Sequence, residues 1–319
     1  MKKASFFKLP LLLAFAYWLM GLIITFGMIF IRTNDLMNSY SQSMAVFIGF
    51  SVAQIPNLLL LIVILACSLY SYAVNELTTK NVLLLILIAL TINIVVFLFN
   101  HFITPIFIQF YLSNIAQYYD SILMFSYQFV IALAKYIVIG LICFWAVMGF
   151  KNMFNRNINQ KLLQQSNSAK IHLTLFILLF ISMSSLFLVP LVFSLLSHNQ
   201  DNSAYQAMLW FLVFSMIFIL MLVFVVRTCF DYAFDSLQIA KMIKSTVLVL
   251  IVSAVAIIVI AGLTAFIITK IPYHYFVLNQ KLMLLIVLFE IFIQCVFVFF
   301  IARVCTKRYF SSGFNATAQ

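Results

Sequence analysis

Long apolar runs separated by short polar connections make up this chain. A helix needs about 20 predominantly apolar residues to cross a hydrocarbon layer ~30 Å thick. Eight stretches meet that requirement, at about 9–31, 44–72, 82–112, 121–150, 171–197, 204–228, 245–269 and 282–302. The pattern predicts an all-α membrane protein with eight transmembrane helices. The two longest connections fall at 151–170 and 229–244, and neither is large enough for a domain outside the membrane. The run from Leu9 to Ile31 follows Lys2, Lys3 and Lys8 as a signal peptide would. It is too long for a signal h-region and no small-x-small cleavage site follows, so it is expected to remain as the first helix.

The chain also resembles itself. Met44-Ala-Val-Phe-Ile-Gly-Phe-Ser51 opens the second stretch and Met208-Leu-Trp-Phe-Leu-Val-Phe-Ser215 opens the sixth, with Met, both Phe and Ser in register. Ser71-Tyr-Ala-Val-Asn-Glu-Leu77 follows the second, and Asp231-Tyr-Ala-Phe-Asp-Ser-Leu237 follows the sixth. A weaker match relates Phe144–Lys151 to Phe299–Thr306. A tandem 4+4 parallel repeat is therefore expected: a first four-helix repeat over 1–150, a cytoplasmic linker over 151–170 and a second repeat over 171–319. Units with an even number of spans repeat in the same orientation, which puts their pseudo-two-fold axis along the membrane normal.

Composition narrows the class further. Of 319 residues, 66% are hydrophobic and 8% charged, against about 25% charged in an ordinary soluble domain. No water-soluble fold hides so much apolar surface, and disorder is excluded by the same figures. The 18 Lys and Arg against 7 Asp and Glu are no nucleic-acid signature. The basic residues stand at the ends of apolar runs, where the expected partners are the bilayer and its anionic headgroups on the cytoplasmic face. With a cytoplasmic N-terminus, fourteen basic residues fall on the cytoplasmic side and three, Arg32, Lys270 and Lys281, on the other, with Lys135 inside a helix. This bias predicts a multi-pass protein of the inner (cytoplasmic) membrane with both termini in the cytoplasm.

Lys135, in the middle of the fourth stretch, and Glu290, near the middle of the eighth, are the charged residues well inside the spans. A lone charge there costs at least ~2.5–3.5 kcal/mol on the insertion scale. Lys135 lies 16 residues before Lys151 and Glu290 lies 13 before Arg303, which puts them at similar depths of ~24 Å and ~20 Å. The repeat register maps one onto the other, so a buried charge pair between the halves is expected. Gln128 and Gln294 share a helical stripe with Lys135 and Glu290 respectively. The pair reads either as an ion pair that fixes helix register or as a titrating element on a transport path.

Other polar residues interrupt the spans. Gln54, Pro56 and Asn57 stand within the second stretch, where a proline frees a carbonyl that the amides are able to satisfy. Asn93, Asn100, His101 and Pro105 fall within the 31-residue third stretch, so a kink or strong tilt is expected. Pro190 and the Ser182, Ser184, Ser185 group of the fifth stretch read as close helix packing. The segment from Asp231 to Lys244 resembles an interfacial helix on the inner leaflet.

Cofactor and catalytic signals are weak. Cys67, Cys143, Cys229, Cys295 and Cys305 form no CxxC pair, so neither a disulfide framework nor a zinc site is expected. His101 has no evident partner for haem ligation, His172 opens the fifth stretch, and His198 and His274 fall in connections. HExxH, GxSxG, P-loop and GxGxxG patterns do not occur. No catalytic residue, metal or cofactor is expected, and the chain does not read as an enzyme. The best expectation is a transporter or permease-like protein for a small solute or lipid. The alternative is a non-catalytic scaffold or accessory subunit with a membrane-protein partner. Only 7 glycines argue against a large rocking movement, since close crossings and hinges use glycine.

Overall fold

The computed structural model describes residues 5–33, 40–74, 76–114, 121–155, 165–198, 220, 223–225, 227, 236–270 and 280–310. Among these residues every regular element is helical and none is a strand. The helices are α1 (Ser5–Thr33), α2 (Tyr40–Ser71), α3 (Thr79–Leu98), α4 (Thr104–Asn114), α5 (Ser121–Gly149), α6 (Gln165–His198), α7 (Ile239–Lys270) and α8 (Gln280–Phe310), and a π-turn at Phe99–Ile103 joins α3 to α4.

Six helical segments of the described residues are long and apolar enough to cross a membrane: Phe6–Phe30, Val46–Ser71, Thr79–Phe110, Phe129–Gly149, Ser168–Leu186 and Ile239–Thr264. They answer to six of the eight expected crossings. The expected crossing at 204–228 lies almost wholly outside the described residues, and that at 282–302 lies within α8, which is helical but not among the six. Ile258 and Phe266 on α7 and Ile106 on α4 are more than 60% exposed. Such faces are liabilities in water and ordinary against lipid chains, and with the six apolar helices they are compatible with a multi-pass membrane protein.

The chain divides into two compact units. Unit 1 comprises Met1–Gln164 with Ile181–Trp210, and unit 2 comprises Gln165–Phe180 with Phe211–Gln319, so α6 gives its first half to unit 2 and the rest to unit 1. α6 starts at Gln165, inside the stretch expected as a linker; residues 156–164 lie outside the described residues.

In unit 1 the core is built from stripes of residues four apart. Leu9, Leu13 and Tyr17 of α1 meet Leu61, Leu65 and Leu69 of α2, Leu85, Ile88, Ala89, Ile92 and Val96 of α3, and Ile139, Cys143 and Val147 of α5. Side chains at i and i+4 lie one above the other on a helix, so each stripe buries one face. α2 stops in a Schellman motif: Val74 N–H donates to Leu69 O (3.0 Å) and Ala73 N–H to Tyr70 O (3.1 Å). Ala73 takes the left-handed conformation (φ 54°) that this motif demands, and Leu69 and Val74 are both buried in the core. α3 is capped at its start by Thr78, whose side chain accepts from Asn81 N–H (3.3 Å). Asn81 in turn donates to Glu76 O (2.9 Å) and accepts from Asn155 N–H (2.8 Å), tying the start of α3 to the chain after α5.

In unit 2, α8 packs along α7. α7 is 32 residues, or ~48 Å, long, and the nine residues 271–279 reach ~31 Å at full extension. The two helices are therefore antiparallel. Their buried stripes are rich in small side chains: Ser245, Thr246 and Ser253 on α7, Ala302, Cys305 and Thr306 on α8. Small residues let membrane helices approach closely, taking the place of the scarce glycine. From Ile239 onward the segment expected as a separate interfacial helix is the first turns of α7. The physical reason is plain, since no proline or glycine separates Lys244 from the apolar run after it. Residues 231–235 lie outside the described residues.

Candidate functional site

The polar side chains inside unit 1 gather around Pro56 of α2. Pro56 has no N–H to give and distorts its helix locally. On one side of it, Gln54 and Asn57 are both buried. Gln54 Oε1 accepts two bonds at 3.0 Å, from the Tyr17 hydroxyl of α1 and from Asn57 Nδ2. The recorded bonds of the two amides thus go to each other and to Tyr17 instead of to the carbonyl that Pro56 frees. Asn93 of α3 extends the network by donating Nδ2 to Tyr17 O (3.1 Å) and to Ala89 O (3.0 Å). Trp18 Nε1 donates to Ser51 Oγ (3.3 Å) one turn earlier in α2. Gly21 lets α1 come close here, because a Cβ on it would stand 3.0 Å from Phe50 Cζ and 3.2 Å from Asn93 Oδ1.

On the other side of the proline, Ser182 of α6 donates to Pro56 O (2.7 Å). That spends its one hydroxyl proton, so Tyr136 of α5, at 2.8 Å, is the donor in the Tyr136–Ser182 bond. The result is a directed chain, Tyr136 O–H to Ser182 Oγ, Ser182 O–H to Pro56 O. Ser184 and Ser185 differ, bonding to Ile181 O within their own helix. Together these contacts join α1, α2, α3, α5 and α6 by hydrogen bonds inside unit 1.

Lys135 is half-buried on α5, next in sequence to Tyr136. No hydrogen bond or ion pair within unit 1 reaches its ammonium among the described residues. Gln128 stands on α5 two turns before it, and its side chain lies outside what the structure describes. Glu290 belongs to unit 2, so the expected pair draws its members from the two units, which are described separately. Glu290 is half-buried on α8 and accepts a bond at 3.0 Å from Gln294 Nε2 one turn on. A carboxylate and an amide at i and i+4 meet on one helix face.

Asn100 and His101 are not part of the Pro56 network. They sit in the π-turn, with exposed side chains, and the His101 ring stacks on Phe97 at 5.9 Å and meets Phe102 edge-on at 5.1 Å. The π-turn sits just before Pro105. Thr104 N–H reaches back five residues to Phe99 O, the wider spacing that absorbs the break.

One side chain carries more than the sequence suggested. His172 is fully buried in unit 2. Its Nε2 accepts from Gln238 N–H (3.0 Å), so Nε2 bears no proton. The proton is on Nδ1, which donates to Ser168 O (2.9 Å). Gln238 directly precedes α7, and His172 thus caps that helix from α6. The signal available in sequence was only a histidine at the mouth of an apolar run. Among the described residues no three His, Cys, Asp or Glu side chains gather as metal ligands would.

No protein-family model, curated protein or solved structure matches the chain.

Proposed function

We propose that this protein moves a small solute or lipid across or within the inner membrane, with Lys135 and the Pro56 network at the working part of unit 1. The observation that carries the reading is the placement of Lys135. An ammonium within a bilayer span is costly unless it is solvated or paired. Lys135 has no such partner in its own unit among the described residues, and it adjoins Tyr136, the first donor of the chain that ends on Pro56. A cation at that depth is suited to the polar or anionic part of a cargo; Tyr136 follows it in sequence but projects from a different face of α5. Glu290, hydrogen-bonded to Gln294, is an ionisable group that unit 2 carries on α8. The N-terminus lies in the cytoplasm in this reading, and no cofactor is called for.

Flux is the test. Proteoliposomes with wild type or Lys135→Met are assayed for translocation of a fluorescent short-chain phospholipid by dithionite quenching, and for shrinkage against a panel of neutral and anionic small solutes. At least one flux is expected above that of protein-free vesicles and lost in Lys135→Met at equal reconstitution. A flux unchanged by the substitution contradicts the reading.

A second reading is a scaffold or accessory subunit of a membrane complex. The completeness of the Pro56 network favours it, since Tyr17, Asn57, Asn93, Tyr136 and Ser182 each donate to a protein acceptor. Co-purification of a defined membrane-protein partner, with no flux in any assay, would support it.

A further inference from the structure

We infer that the end of unit 2 formed by the start of α7 and the close of α8 holds the headgroup of an anionic phospholipid. The antiparallel packing of the two helices brings Lys241 and Lys244 to the same end as Arg303, Lys307 and Arg308. Four of the five are exposed and Lys241 is half-buried. Asp231 and Asp235, which precede α7 in the sequence, lie outside the described residues.

Helix electrostatics account for only part of this cluster. Lys307 and Arg308 occupy the last turn of α8, where the macrodipole favours cations. Lys241 and Lys244 lie in the opening turns of α7, which has no acidic residue in its first turn. There the macrodipole opposes the charge of Lys241, the third residue of the helix, while Lys244 stands beyond the first turn, where the effect has faded. An anion placed at this end meets Lys241 and Lys244 together with Lys307 and Arg308.

The flanking surface selects a lipid over a free anion. Phe297, Phe300 and Val304 are each more than 50% exposed, and at spacings of three and four they form one stripe that runs up α8 to Arg308. On α7, exposed Ile258, Val255 and Ile251 lead to Lys244 in the same way. Each stripe offers apolar contact along its length and a cation at its end, which is the pattern of an acyl chain and a phosphate-bearing headgroup. This inference rests on unit 2 lying in a membrane and not on the transport reading.

The experiment is native mass spectrometry of the full chain released from nanodiscs of equal phosphatidylglycerol and phosphatidylcholine with matched acyl chains. Wild type is expected to retain phosphatidylglycerol about tenfold over phosphatidylcholine. Lys241→Gln/Lys244→Gln is expected to bring the ratio to within about twofold of unity, while Lys270→Gln, at the far end of α7, leaves it unchanged. For a variant that does not stay monodisperse, release of wild type in about 0.5 M salt, where charge contacts are screened, serves instead and is expected to abolish the preference. Equal retention of both lipids by wild type overturns the inference. So does a preference that survives the double substitution or the salt. Protection of wild type against thermal unfolding by millimolar inorganic phosphate, equal to that by phosphatidylglycerol, would overturn the lipid assignment in favour of a free anion.

Discussion

Ser182 donates its hydroxyl proton to the carbonyl oxygen of Pro56 at 2.7 Å, across 126 residues of sequence. The contact fastens the second half of α6 to α2 at the point where α2 is weakest, because the proline withholds one rung of the helical ladder. Tyr136 follows as donor to Ser182, so three helices meet on one polar thread. In lipid the alternative to such a thread is an unpaired hydroxyl.

Removing the middle of the thread is therefore expected to cost more than removing its end. Ser182→Ala leaves Pro56 O without this donor and Tyr136 without an acceptor, and is expected to lower stability by about 1–2 kcal/mol. Tyr136→Phe loses one bond and is expected to cost about 0.6 kcal/mol from the hydrogen bond. With both substituted, the total is expected to fall below the sum, because the second change removes a group the first had already stranded. Unfolding in detergent and denaturant, followed by tryptophan fluorescence, checks all three. Strict additivity would show that the two bonds do not act as one chain.

Ala73 is the reverse case, a site where a substitution should help. Its φ of 54° is a conformation that costs a residue with a Cβ about 1–2 kcal/mol and costs glycine much less. The gain is partly offset by the greater freedom of glycine in the unfolded chain. Ala73→Gly is expected to raise stability by about 0.5–1 kcal/mol, read as an upward shift in the thermal midpoint. A drop would mean that α2 does not end in the Schellman motif.

Among the described residues the buried Thr306 hydroxyl has no hydrogen-bond partner. An unsatisfied buried polar group costs about 1–3 kcal/mol, so Thr306→Val, which keeps the branched shape, is expected to be neutral or stabilising. Loss of more than about 1 kcal/mol in the same unfolding measurement would reveal an acceptor for that hydroxyl.

These three sites show what the sequence discloses and where it stops. The apolar runs give the helices, because bilayer thickness leaves little choice of length or backbone form. Gln54, Asn57 and Asn93 stand out as amides in apolar surroundings. Their partners do not, since Tyr17 and Tyr136 are two of 14 tyrosines and an interhelical bond leaves no periodic trace. The Ser182, Ser184, Ser185 group reads as packing, yet one member reaches another helix and the others turn back on their own. Pro105 signals a disturbance in the third crossing, but the form it takes, a π-turn, depends on which carbonyl Thr104 N–H reaches. The Tyr-Ala-Val segment noted as a repeat motif has a local task in its first copy, stopping α2. Residues 231–235 of its second copy, Asp231–Leu237, and the whole Met208–Ser215 match lie outside the described residues. His172 was least evident, because a helix cap supplied by a distant imidazole has no spacing rule.

The central claim is that Lys135 faces a path open to water or cargo. It is tested most directly by Lys135→Cys in a chain whose five native cysteines are replaced by alanine, treated in intact vesicles with a membrane-impermeant maleimide. The transport reading predicts labelling in the folded, membrane-embedded protein. A cysteine at 135 that stays unlabelled in vesicles but reacts fully once the protein is denatured would contradict it and leave the scaffold reading in its place.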